Sequence, residues 1–195
     1  TSGDIALNRF VESPLAHPSV AFRLETARRF GGYRDGPFPE DYELWLRWLE
    51  NGVAMEKLDR ELLVWNDPPD RLSRSDPRSA AEAFYRVKAG YLARWLAANN
   101  PFWPEVVLAG AGRTTRKRAE ALTEFGARIT AYADIDPRKI GRVVHGRPVL
   151  DRRDLPPPGR VFVVSYVASR GAREDIAAFL SARGYRAGRD FLLAA

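Results

Sequence analysis

Two adjacent carboxylates, Glu40 and Asp41, head the stretch PFPEDYELWLRW (37–48). An acid in the first turn of a helix complements the helix dipole, worth roughly 0.3–1 kcal/mol. That structural role alone accounts for both residues. The same placement also holds a charged carboxylate on a rigid mount, which a general base needs if it is to take a proton from a hydroxyl. Tyr42, Trp45 and Trp48 follow, and aromatic faces suit a sugar ring, so Trp45 is a candidate sugar-binding residue. His17, before Pro18, reads on its own as a turn or packing residue.

A separate group sits in LAGAGRTTRK (108–117). Gly110-x-Gly112 follows an apolar run and opens a helical pattern, as a dinucleotide-binding turn does. The third glycine of that fingerprint is missing, and Thr115 stands in its place. Asp134 lies 24 residues after Gly110, at the end of the next strand pattern, where a ribose-binding acid belongs. Gly110, Gly112 and Asp134 are therefore candidate nucleotide-binding residues. The glycines equally suit a tight turn in a structural or docking module.

These groups need elements to hold them. In the first half, SVAFR (19–23) suggests a short strand and LETARRFGG (24–32) a helix stopped by Gly31-Gly32. EDYELWLRWLENG (40–52) is an amphipathic helix, and AMEKLDRELLVWN (54–66) is extended, most β-rich at Leu62–Trp65. DPPDRLSRSDPR (67–78) has loop composition. A helix then runs from Pro77 to Ala98, capped by Asp76, with Phe84, Val87, Tyr91 and Trp95 recurring along one stripe.

Asn99-Asn100-Pro101 breaks the chain. Beyond it strands and helices alternate: EVVLAGAG (105–112) as a buried strand running into a Gly turn, strands at 127–136, 160–167 and 190–195, two short strand pieces within 141–150, and helices at 113–126 and 173–184. Ala119, Leu122 and Phe125 are expected inward on the first helix, and Ile176, Phe179 and Leu180 on the second. The fold class is α/β: a mixed α/β region over 1–100, and a small Rossmann-like parallel sheet domain over 101–195. No internal repeat is visible.

Composition narrows the function. The 195 residues contain no Cys, which excludes disulfides, thiolate catalysis and Cys-based zinc sites. His17 and His145 are too few for a His-rich metal site. The net charge of +6 divides into −1 over residues 1–100 and +7 over 101–195, and 27 of the 31 basic residues are Arg. These arginines are scattered among acids, the pattern of a solvated surface rather than a nucleic-acid footprint. No apolar run approaches a membrane span and no signal peptide is visible, so a cytoplasmic setting is expected.

The run SPLAHPSVAFR, then GGYRDGPFPEDYELWLRWLENG, then LLVWNDPPDRLSR resembles the C-terminal half of bacterial glycosyltransferase family 2 enzymes, whose fold is of the GT-A type. The likeness covers roughly residues 10–80, and its most specific part is EDYELWLR with GGYRD upstream. It implies an inverting enzyme of bacterial cell-surface polysaccharide synthesis. Asp41 matches the catalytic base that takes the acceptor's proton as its oxygen displaces a nucleoside diphosphate from the sugar. Glu40 would orient or contact the acceptor, and His17 would lie near the acceptor or nucleotide. Many relatives carry a His before the 71–74 segment, where it approaches metal or diphosphate; Asp67 stands about there instead. Arg71, Ser73 and Arg74 would grip the diphosphate, since guanidinium suits phosphate oxygens.

The resemblance also implies what these residues lack. The family's opening strand IPxYN and its Asp-x-Asp metal motif are absent, and DID (134–136) lies in the second domain at a strand end. The expectation is an acceptor-side fragment with no metal site and no cofactor of its own, while the intact enzyme uses Mg²⁺ or Mn²⁺. The expected partners are a nucleotide-sugar donor and a sugar or lipid-linked acceptor. No nucleic acid is expected, and no membrane span, though peripheral association at the inner membrane face is allowed. Residues 105–193 resemble the Rossmann-like domain that precedes the left-handed helix in some sugar acyltransferases, which can hold a nucleotide-sugar.

A non-catalytic binding or docking module is the rival class, with Glu40-Asp41 only starting a helix. A nicotinamide-dependent oxidoreductase ranks below both, because Tyr166-x-x-x-Arg170 has Arg where a catalytic Lys belongs.

Overall fold

A computed structural model of the chain describes residues 1–61, 63, 64, 66 and 76–195. The protein is mixed α/β, with six helices among the described residues and a six-stranded, mostly parallel sheet. It divides into two compact units, Thr1–Tyr91 and Leu92–Ala195. The division falls inside a helix, upstream of the Asn-Asn-Pro break.

The first unit carries helices α1 (Ser2–Asn8), α2 (Leu24–Phe30) and α3 (Glu40–Glu50), and most of α4 (Ala81–Asn99). A capping box between Thr1 and Asp4 starts α1. Helix α3 holds the core: Leu44, Trp45, Trp48 and Leu49 pack with Ile5 and Met55. Tyr42 stacks on Phe84, ring centroids 4.2 Å apart, and donates to the Arg9 carbonyl at 2.7 Å.

Several local expectations give way here. Residues 19–23 form no strand. Pro18 sets a 3-10 turn over His17–Ser19, and Phe22 lies exposed. A strand needs a ladder partner, and the described residues of this unit contain none, so β propensity has nothing to satisfy. The described part of 54–66 likewise forms no strand, while Leu62 and Trp65 lie outside the described residues. Asp76 does cap, accepting from the Arg78 N–H at 2.8 Å, but it caps a 3-10 turn over Pro77–Ser79. Helix α4 begins only at Ala81, because Ala80 is extended. Its buried face also takes in Lys88, whose ammonium lies over the rings of Phe84 and Tyr85.

In the second unit the sheet order is β3-β4-β2-β1-β5-β6, formed by β1 (Glu105–Ala109), β2 (Arg128–Asp134), β3 (Val143–Val144), β4 (Arg147–Asp151), β5 (Val163–Ser165) and β6 (Phe191–Leu193). All pairings are parallel except the β3–β4 hairpin. Strands covered on both faces should be near-continuously apolar, and β1, β2 and β5 are. Helices α5 (Arg113–Glu124) and α6 (Ala172–Ala182) are the crossovers, and the core gathers Val107, Ala131, Val163, Leu180 and Phe191. Ala119 and Leu122 face inward as expected; Phe125 follows the last turn of α5 and is 43% exposed. Leu180 is fully buried, with Ile176 and Phe179 packed partly against the same core.

Candidate functional site

Glu40 and Asp41 are the first two residues of α3, and both are half-buried. No side chain caps the helix from Pro39, so its first N–H groups need acceptors. Asp41 supplies one: its Oδ1 accepts from the Tyr42 N–H at 2.7 Å. Its Oδ2 makes no hydrogen bond among the described residues. One oxygen therefore serves the helix while the other is left to accept.

The loop after α2 brings polar groups to this helix start. Tyr33 hydrogen-bonds His17 Nε2 through its hydroxyl at 2.8 Å, and the two rings lie 5.2 Å apart. The Tyr33 phenol is pushed above its ordinary pKa by burial and then by the charges of Asp41 and Glu40. His17, Tyr33, Glu40 and Asp41 thus form one neighbourhood. Arg78 adds a cation at the edge, held by Asp76 at 2.6 Å and lying 3.7 Å from Asp35. Its pKa is raised first by the Asp76 bond, with the charges of Glu40 and Asp35 contributing.

A buried ion pair one turn along α3 fixes that loop. Glu43 takes Arg47 in a fork, Nε to Oε1 at 2.9 Å and Nη2 to Oε2 at 3.1 Å, and also accepts from the Tyr91 hydroxyl at 2.6 Å. Arg47 then donates to the carbonyls of Phe30, Gly31 (2.9 Å) and Gly32 (2.6 Å), and Trp48 Nε1 donates to Gly31 at 3.0 Å. Gly31 sits at φ +82°, and a Cβ there would lie 3.0 Å from Arg47 Nη1. The GGY segment is a glycine turn because a guanidinium occupies the space beside it. Nothing in the spacing of the sequence singled out Glu43 or Arg47, and Tyr91 was marked only as part of an apolar stripe. The signal available was a charged pair at i,i+4 on the apolar face of α3.

Trp45 is placed differently from its expectation. It is 1% exposed, inside the core against Trp48, so its ring presents no face to a sugar; its Nε1 has no hydrogen-bond partner among the described residues. Arg71, Ser73 and Arg74, expected at the diphosphate, and Asp67 lie outside the described residues. Among the described residues no group of three or more His, Asp or Glu is arranged to hold a metal ion.

In the second unit Gly110 ends β1 at φ +91°, where a Cβ would come 2.7 Å from Val167 Cγ2. Gly112 starts α5. Asp134 ends β2 and is fully engaged. Its Oδ1 accepts from the N–H groups of Ile135 (2.8 Å) and Asp136 (2.9 Å), and its Oδ2 from Ala111 N (2.7 Å) and Lys139 Nζ (3.2 Å). Burial opposes its charge, but the Asp136 and Ala111 N–H groups and Lys139 hold its pKa below the ordinary carboxylate value. Gly110, Gly112 and Asp134 line one cavity of about 230 Å³ at the C-terminal ends of β1 and β2.

A helix start carrying an accepting carboxylate, braced beside a His–Tyr pair, suits a group that removes a proton from a bound hydroxyl. The chain is 41% identical over 51 residues to UDP-Gal:alpha-D-GlcNAc-diphosphoundecaprenol beta-1,3-galactosyltransferase of Escherichia coli, which marks a relationship to glycosyltransferases. That stretch is 26% of this chain and 18% of the length of that enzyme. No family model matches the chain, and no solved structure matches it. No helix among the described residues is long and apolar enough to cross a membrane.

Proposed function

We propose that the first unit is the acceptor-side part of a glycosyltransferase of the GT-A type, with Asp41 as general base. The observation that carries the reading is the first turn of α3. Asp41 spends one carboxylate oxygen on the helix and keeps the other for an acceptor hydroxyl. Aspartate is suited to the step because the Arg47-pinned loop restrains what surrounds it. As the acceptor oxygen attacks the anomeric carbon, its proton passes to Asp41 and the nucleoside diphosphate leaves with the bonding electron pair, which inverts the centre. Glu40 orients the acceptor. His17 and Tyr33, bonded to each other, border it.

The galactosyltransferase likeness supports a nucleotide-sugar donor and a lipid-linked diphosphate acceptor, hence work at the inner face of a membrane. Donor binding, and the Mg²⁺ or Mn²⁺ that would neutralise the departing diphosphate, are assigned to a half outside these 195 residues. The test is a transfer assay with the 195-residue chain, UDP-sugars and an undecaprenyl-diphosphate sugar. No turnover is expected from the chain alone. Turnover without a donor-binding half would overturn the division of labour.

A further inference from the structure

We propose that the cavity of the second unit binds a nucleoside monophosphate, held by its base and one phosphate, and not a dinucleotide. This rests on the second unit by itself and does not depend on the glycosyl-transfer reading.

The site is where an open parallel sheet places its ligands. Strand β1 has β2 on one side and β5 on the other, so the connections leave in opposite directions and open a crevice at the carboxyl ends. The cavity occupies that crevice, reached by Ala109 and Gly110 at the end of β1, Asp134 at the end of β2 and Val167 after β5.

Its chemistry excludes the dinucleotide mode. In that mode the pyrophosphate sits at the helix N-terminus and an acid at the end of the second strand takes ribose hydroxyls. Here Gly110 N donates to the Ala133 carbonyl at 2.7 Å and Ala111 N donates to Asp134 at 2.7 Å. Asp134 is thereby filled by four donors and has no claim on a ribose.

What remains suits a smaller molecule. Leu155, Ile176, Phe179 and Leu180 give an apolar wall for a flat ring. Gly112 and Thr115 bring the first turn of the twelve-residue helix α5 to the cavity, and no side chain caps that helix. Thr115 is 9% exposed, and its hydroxyl has no hydrogen-bond partner among the described residues. An open helix start with a nine-tenths-buried threonine beside it on the cavity lining is a phosphate seat. Lys139, 38% exposed at the rim, carries a cation within reach of the same opening. The carboxylates of the lining, Asp134 and Asp175, are each paired, with Lys139 and Arg152 respectively. They leave the lining near neutrality, so the helix start sets the preference for an anion.

The test is calorimetry on the full 195-residue chain, with amide chemical shifts to locate binding. The probes are UMP, AMP, uridine, adenosine, inorganic phosphate and NAD⁺. At least one monophosphate should bind about tenfold more tightly than its nucleoside and than phosphate, shifting the amides of 112–115. NAD⁺ should bind no more tightly than AMP. Thr115→Val, which keeps the shape and removes the hydroxyl, should weaken the monophosphate about tenfold. Lys139→Gln should weaken it several-fold, with the unfolding midpoint of each variant as the control for folding. Absence of binding by both monophosphates at millimolar concentration, nucleoside binding as tight as its monophosphate, tighter NAD⁺ binding, or an unchanged affinity in a folded Thr115→Val or Lys139→Gln chain would each overturn the proposal.

Discussion

Arg47 illustrates how much a single side chain can decide. Its guanidinium, itself buried, satisfies Glu43 in the core and the carbonyls of residues 30–32 in the loop above it. Arg47→Met would leave the Glu43 carboxyl buried with its main partner gone. Removing one member of such a pair costs about 3–5 kcal/mol, to be read as a lower urea midpoint. At the same scale, Tyr33 reports on Asp41. Burial and then the Asp41 and Glu40 charges raise its pKa, so Asp41→Asn removes one raising cause. The phenol of that variant should titrate at lower pH than in the parent, measured by the ring resonances of Tyr33. An unchanged titration would place Asp41 away from the His–Tyr pair.

Elements turn these residues into sites, and here sequence and structure part company unevenly. The helix start at Glu40, the turn glycines, the two short strand pieces within 141–150 and the strand–helix alternation of the second unit were all legible, because each depends on local chemistry: a carboxylate at a helix head, a backbone at positive φ, an apolar run closed by Gly. The strand expected at 19–23 was not real, since a strand is a property of a pair and the sequence names no partner. The burial of Trp45 and the Glu43–Arg47 brace were hidden for a related reason. Both are decided by which face of α3 meets the core, and that face is apolar and charged at once. Asp134 was legible as a residue but not as a role: its position fitted a ribose acid, whereas its bonds make it a clasp for the Gly110 turn. That clasp has a pH signature. Its folded pKa lies below the unfolded value, so its contribution is complete above the ordinary carboxylate range and is lost as pH falls through the folded pKa. Urea unfolding across acid pH should show Asp134→Asn less stable than the parent near neutrality, with the gap closing on acidification.

For the whole molecule, the two units divide the chemistry. The first places a carboxylate and a His–Tyr pair at one helix start, and the second is a parallel sheet with a cavity at its switch point. A 51-residue likeness to a galactosyltransferase supports glycosyl transfer and spans 18% of that enzyme. Activity is therefore expected only when a donor-binding half is present, and the mutational test belongs there. The most direct measurement compares the transfer rates of the parent and Asp41→Asn chains, each joined to such a half, with the unfolding midpoint measured alongside. A general base contributes about 10²–10⁴-fold, so the rate should fall by that factor while the midpoint stays put. A folded Asp41→Asn enzyme that transfers sugar at the parent rate would contradict the role given to Asp41.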